Sequence, residues 1–309
     1  LYLMPAQGGQ AVELTPGDSV LAQFLKWSYD GNSFLYISNL RDKRFLDIYQ
    51  YDLNTGQAKM IYQTKGTEAF ADWSRDQKKL AFNIFYVSTD EDFAVYDIAT
   101  GKMDTLTKHK GEIYNEALSF SPDSKYLYFL TDKESEFTML QRMNLETKQE
   151  ELLEKPDWDV ITAGFSHNGT YFAWAINEDG STKIKVINIK ENKEVPLPVL
   201  PNGEIRGLEF SRSEKYMDFY FNGDRQPTNL YVVDLASNKL TQLTNSLPQE
   251  IAQDNLVESE LIRYPSFDGR QIPAYLYKPK NLMPGEKLPV IMEIHGGPMF
   301  QEAKRWSPV

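Results

Sequence analysis

The stretch Phe120–Leu130, FSPDSKYLYFL, holds an aromatic residue, a serine, a four-residue turn and an apolar strand in that order. The same order returns four more times. Ser28, Ser74, Ser121, Ser166 and Ser211 each follow Trp or Phe, at spacings of 46, 47, 45 and 45 residues. The turns read SYDGN, SRDQK, SPDSK, SHNGT and SRSEK, and the strands after them FLYIS, LAFNIF, YLYFL, YFAWAI and YMDFYF. A second marker lies about 23 residues past each serine: YDLNTG, YDIATG, MNLETK, INIKEN and VDLASN. Its Asp, Asn and Gly supply the chemistry of a turn between two outer strands. Each unit therefore holds four short strands, and a four-stranded unit of about 45 residues is one blade of a β-propeller. The serines and aspartates of the marker read as turn closers, not as nucleophiles.

Composition fits an all-β chain. Of 309 residues, 13% are aromatic and 41% hydrophobic, and the net charge is −11. Aromatic side chains favour pleated strands. An acidic chain lacks the basic face that nucleic acid requires, so no nucleic-acid partner is expected. Cysteine is absent, which removes disulfides, thiolate metal sites and Cys nucleophiles. No apolar run approaches the ~20 residues of a membrane span. No membrane partner is expected, no basic leader is visible, and the compartment, cytoplasmic or periplasmic, stays open.

The ends of the array predict the domain plan. Residues 1–15, LYLMPAQGGQAVELT, align without a gap on residues 230–244, LYVVDLASNKLTQLT. They are expected to form the third and fourth strands of a partial blade. Either one or more further blades precede them, or strands from the C-terminal end complete that blade and close the ring. Residues 16–246 make five blades and 247–258 a linker. Residues 259–309 then begin something different. ELIRYPSFDGRQIPAYLYKP contains two β runs around Asp268-Gly269, a hairpin signal. Residues 289–294, PVIMEI, read as a strand buried on both faces, and His295-Gly296-Gly297-Pro298 follows directly.

The FSPD repeat resembles that of TolB-like and prolyl oligopeptidase propellers. The order propeller, linker, YPSFDGRQIPAYLYKP and PVIMEIHGGP resembles the prolyl oligopeptidase family of serine peptidases, in its acylaminoacyl-peptidase and dipeptidyl-peptidase-like branch. The fold implied is a propeller of at least five four-stranded blades, followed by the first strands of an incomplete α/β-hydrolase domain. The resemblance implies a propeller that restricts access to short or acylated peptides. It assigns His295, Gly296 and Gly297 to a loop that contributes part of an oxyanion hole, with Pro298 shaping it, because glycines let a backbone N–H approach a developing oxyanion. It implies neither metal nor organic cofactor.

The nucleophile is not legible. G-x-S-x-G occurs nowhere in the chain, and only eleven residues follow Pro298. The three histidines, His109, His167 and His295, fall in a blade connection, a repeat turn and the HGGP loop. The chain is therefore expected not to hydrolyse peptides alone. An orphan hydrolase strand and loop would expose Val290, Ile291, Met292, Ile294, Met299, Phe300 and Trp306, so in isolation the tail is expected to be disordered, bound to the propeller or paired with another copy.

Charged residues that precede the repeat serines by two to nine positions are the candidates to face a propeller channel and touch substrate. They are Glu68, Asp72, Glu112, Glu116, Asp157, Asp159, Glu204 and Arg206. Two other functions stay open at this level. A glycoside hydrolase would place two of Asp72, Glu116, Asp157, Asp159 and Glu204 opposite each other, with Trp73, Trp158 or Trp174 stacking on the sugar. A TolB-like scaffold would bind a partner and need neither arrangement.

Overall fold

The computed structural model describes every residue except Pro16, Asp18, Pro298, Met299, Pro308 and Val309. The chain divides into two compact units, Leu1–Lys155 and Pro156–Val309. Apart from one 3-10 turn, Gln253–Asn255, the described regular structure is strand.

In the first unit, β1 (Tyr2–Leu3) and β2 (Val12–Glu13) form a two-stranded ribbon. Blade one is β3 (Ala22–Trp27), β4 (Ser33–Ser38), β5 (Asp47–Asp52) and β6 (Gln57–Tyr62). Blade two is β7 (Glu68–Trp73), β8 (Lys79–Val87), β9 (Asp90–Asp97) and β10 (Lys102–Thr105). Blade three is β11 (Asn115–Phe120), β12 (Tyr126–Thr131), β13 (Met139–Asn144) and β14 (Glu150–Glu154). The second unit carries blade four, with β15 (Asp159–Phe165), β16 (Tyr171–Glu178), β17 (Ser181–Asn188) and β18 (Lys193–Glu194). Blade five is β19 (Glu204–Phe210), β20 (Tyr216–Gly223), β21 (Gln226–Asp234) and β22 (Lys239–Gln242). Every blade is an antiparallel meander in chain order, which makes the chain an all-β propeller of five four-stranded blades.

The repeat serine closes each blade's first hairpin from inside. In all five copies its Oγ accepts the backbone N–H five residues on, in Ser33, Lys79, Tyr126, Tyr171 and Tyr216, at 2.9–3.2 Å. In blades one to three the same hydroxyl donates to the aspartate two residues later, Asp30, Asp76 or Asp123, at 2.6–2.7 Å. Blade four has Asn168 in the aspartate's place, and blade five lends Glu214, whose carboxylate bonds both Ser166 Oγ and Asn168 N–H. The second marker is an Asx turn in which Asp52, Asp97, Asn144, Asn188 and Asp234 accept backbone N–H groups two or three residues on. Each ends on a left-handed residue: Gly56, Gly101, Lys148, Asn192 or Asn238.

The core lies between blade faces. Leu35, Ile48, Trp73, Leu80 and Phe82 form one layer, and Ala81, Phe93, Phe120, Leu127, Phe129 and Met143 the next. In the second unit Ala173, Val186, Met217, Phe219, Phe221 and Val233 do the same between blades four and five. Central strands therefore read apolar at successive positions, because both of their faces are covered. The β1–β2 ribbon pairs Tyr2 with Glu13 and Leu3 with Val12. Those are the aligned counterparts of Tyr231–Gln242 and Val232–Thr241 in blade five, so the ribbon has the register of a blade's outer strand pair.

After the propeller, β23 (Glu260–Pro265) and β24 (Gln271–Leu276) form the expected hairpin around Asp268-Gly269, with Gly269 at φ +84°. The expected buried strand at residues 289–294 is not one. Among the described residues the run pairs with no strand, and Ile291 is 96% exposed. An apolar run becomes a buried strand only where neighbours take up its backbone groups and cover its faces, and here neither is supplied.

Candidate functional site

Every blade's innermost strand carries a bulge shortly before its repeat serine. These bulges interrupt the register between Phe24 and Lys26, Phe70 and Asp72, Ala117 and Ser119, Val160 and Thr162, and Arg206 and Glu209. A bulge re-aims the side chains around it. It shows why sequence spacing alone misjudges which of the candidate charges turn toward solvent.

In the first unit the candidates are engaged in structure. Asp72 is buried; its Oδ2 accepts the Phe120 N–H at 2.8 Å, and its Oδ1 is paired with Lys26. One carboxylate thus ties the inner strands of blades one, two and three together. Glu68 caps the turn before its own strand, accepting Tyr62 Oη at 2.7 Å and the Lys65 and Thr67 N–H groups. Glu112 accepts Thr89 Oγ1 at 2.9 Å. Glu116 accepts the Tyr114 hydroxyl at 2.5 Å, and burial raises its affinity for a proton against the effect of that bond. Beside it on β9 lies Glu91, a residue the sequence reading did not single out. Glu91 is 2% exposed, and its Oε1 has no hydrogen-bond partner among the described residues. Burial first, and the Glu116 charge second, push its carboxyl up to about 8. His109 bridges Asp90 at 2.9 Å and Asp92 at 3.1 Å, so it clamps a blade connection.

In the second unit the structure brings four of the candidates to one place. Glu204 and Arg206, paired on β19, line a cavity of about 580 Å³ together with His295 and Gly296. Asn177, Thr182 and residues 300–303 and 305 are also in its wall. A smaller recess of about 320 Å³ shares Glu204, Arg206 and Arg305 and adds Tyr220, Asn222 and Trp306. The cavity offers both signs of charge, amide and hydroxyl groups, and an exposed aromatic in Phe300. Gly297 has φ +130°, a conformation that only glycine adopts readily. His295 is exposed, and its Nδ1 faces the carbonyl oxygen of Gly296 at 3.0 Å. Pro298 and Met299 lie outside the described residues. Asp157, exposed, and Asp159, at the start of β15, are not among the residues lining the cavity.

The sequence reading also missed Asp224. It sits at the turn between β20 and β21 with its carboxylate enclosed, accepting Ser259 N–H at 2.8 Å, Ser259 Oγ at 2.7 Å and Tyr277 Oη at 2.7 Å. Burial and then this bond raise the Tyr277 hydroxyl's pKa. No repeat marker falls on Asp224, and its partners lie 35 and 53 residues away.

Comparison with known proteins agrees with this architecture. Dipeptidyl-peptidase 5 of Porphyromonas gingivalis is 31% identical over 132 residues, 39% of this chain and 19% of its own length. The Tol-Pal system protein TolB of Wolinella succinogenes is 28% identical over 116 residues, 38% of this chain and 26% of its own. The matched stretch thus spans about a fifth to a quarter of these relatives. A solved prolyl endopeptidase shares the fold with a TM-score of 0.64 at 18% identity, over 85% of this chain and 40% of that one. The family described as "Prolyl oligopeptidase, N-terminal beta-propeller domain" matches residues 9–246. With more than half of its length matched, the chain belongs to the prolyl oligopeptidase N-terminal β-propeller family.

Proposed function

We propose that this chain is the substrate-gating propeller of a serine peptidase acting on short or acylated peptides, together with the loop that supplies part of its oxyanion hole. The observation that carries the reading is the cavity in the second unit. It sets the charged pair Glu204 and Arg206 of an inner strand beside His295-Gly296. A peptide is a chain of amides with charged termini, and such a wall offers it partners of both signs. Gly296 and Gly297 would present backbone N–H groups to the tetrahedral intermediate, stabilising the oxyanion more than the ground-state carbonyl. Glu204 and Arg206 are binding residues in this scheme.

The sequence contains no G-x-S-x-G, and on that ground we propose that the acyl-accepting serine is not among these residues. The chain's action is then to admit and orient peptides, and we propose that it has no peptidase activity alone. The test is a panel of chromogenic aminoacyl, acyl-peptide and glycoside substrates, with and without a fluorophosphonate probe. Silence on every substrate and no labelling is the expected outcome. Glycoside turnover insensitive to the probe would move the chemistry to the propeller carboxylates. The glycosidase alternative draws no support from the stacking candidates Trp73 and Trp174, which are buried, nor from Asp72, which is already bonded. The TolB match favours a second reading, a binding scaffold. Short peptides that bind with Kd values sensitive to Arg206→Ala support the gating role, and indifference to them supports the scaffold.

A further inference from the structure

Residues 300–307, FQEAKRWS, run across blades four and five and are held mainly through their backbone. Lys304 N–H donates to the Gly180 carbonyl at 3.0 Å, and Lys304 C=O accepts the Glu204 N–H at 3.2 Å. Trp306 N–H donates to Asn222 Oδ1 at 2.9 Å, and Asn177 Nδ2 donates to Gln301 Oε1 at 2.6 Å. Two glycines clear the path. A Cβ at Gly180 would stand 2.9 Å from the Glu302 carbonyl oxygen, and one at Gly203 2.9 Å from that of Lys304. One side chain is singled out. Lys304 is only 8% exposed, with its ammonium 3.0 Å from Glu258 Oε2 and 3.5 Å from Asp224 Oδ2. The bonds from Ser259 and Tyr277 hold Asp224 in place for it.

We propose that this groove is a recognition site for an extended peptide segment bearing a lysine, and that the chain's own residues 300–307 fill it in cis. Besides the Gln301 amide, the bonds go to main-chain groups and to one ammonium, the elements by which a protein reads an extended strand and one anchoring residue. None of them depends on the covalent link to the rest of the chain. Beyond Tyr277, which belongs to the groove, residues 278–297 of that link contain no strand or helix and are almost wholly exposed. They act as a tether that sets the local concentration of the segment, so a separate peptide of the same chemistry competes with it. The groove shares Asn177, Gly180, Glu204 and residues 300–303 with the cavity described above, and it stands whether or not that cavity serves a peptidase.

The test uses the full chain and a fluorescent peptide, FQEAKRWS, followed by anisotropy. The Lys304→Ala chain, whose own segment is a weak competitor, is expected to bind the peptide at least tenfold more tightly than the unaltered chain. A peptide with norleucine for its lysine should bind that variant at least tenfold more weakly. Glu258→Gln in the same background should lose about fivefold, as for a charge-assisted bond at a partly open site. In the unaltered chain, saturating peptide should speed hydrogen exchange of the chain's own 300–307 segment, a readout that needs no variant. The proposal is overturned by a Lys304→Ala chain of native circular dichroism that binds no peptide, by indifference to norleucine, or by exchange that saturating peptide leaves unchanged.

Discussion

Two apolar runs of six residues have opposite fates. Tyr126–Thr131, YLYFLT, is the second strand of blade three, and Leu127, Phe129 and Leu130 are all 2% exposed or less. Residues 289–294, PVIMEI, carry comparable apolar content, yet Val290, Ile291, Met292 and Ile294 stand open to solvent. The first run has β11 and β13 on its two edges and the Phe93 and Met143 side chains against it. Among the described residues the second has no strand on either edge. Hydrophobicity supplies a driving force without a direction, and paired backbone edges turn it into a strand.

The sharpest test of this contrast is truncation in each run. Phe129→Ala should destabilise the first unit by about 3–5 kcal/mol, the range for emptying a buried aromatic site, as read by urea unfolding. Ile291→Ala should change stability by less than about 0.5 kcal/mol. Equal effects would mean that the second run is covered in solution.

The next effect belongs to polar groups inside the blades. Asp72→Ala removes the acceptor of the Phe120 N–H and should cost about 2–3 kcal/mol in the same assay. A neutral result would show that water replaces the carboxylate.

Glu91 adds a dependence on pH. Its pKa is raised to about 8 from an ordinary 4.5, so between these values the native state keeps a proton that the unfolded chain has shed. Stability from this group therefore falls as pH rises through that window, by at most about 1.4 kcal/mol per unit. Thermal unfolding at pH 6 and pH 8 should show the unaltered chain losing on the order of 2 kcal/mol more than Glu91→Gln. Parallel profiles would remove Glu91 as the source.

Smaller effects come from the turns and the open run. Ser121→Ala breaks the turn bonds to Asp123 and Tyr126 and should cost about 1 kcal/mol. Ile291→Asp should leave stability alone. If the open run drives self-association, the same change shifts the sedimentation profile toward the monomer, and an unchanged profile removes that role.

Much of the fold was legible because propeller blades are built from local contacts. A serine at one phase, an Asx turn at another and an apolar stretch between them describe a hairpin whose bonds close within five residues. Blade four shows where local reading ends: Ser166 has Asn168 where an aspartate stood in earlier copies, and the missing acceptor arrives from Glu214 in the next blade. The candidate site was legible in part. Glu204, Arg206, His295 and Gly296 were chosen for their phase and motif, and they line one cavity. Asp72 was chosen on the same grounds and proved to be a tie between strands, because an inner-strand bulge and a neighbouring N–H captured it.

The amino-acid sequence by itself determined the five blades, their strand order, their turn chemistry and the hairpin at Asp268-Gly269. All of these rest on contacts between residues close along the chain. Tertiary structure alone decided that Glu91 is buried beside Glu116, that Asp224 gathers Ser259, Tyr277 and Lys304, and that residues 289–294 form no strand. Each of those outcomes depends on which partners from distant parts of the chain arrive to pair a backbone group or exclude water. The periodicity of a sequence carries no record of such arrivals.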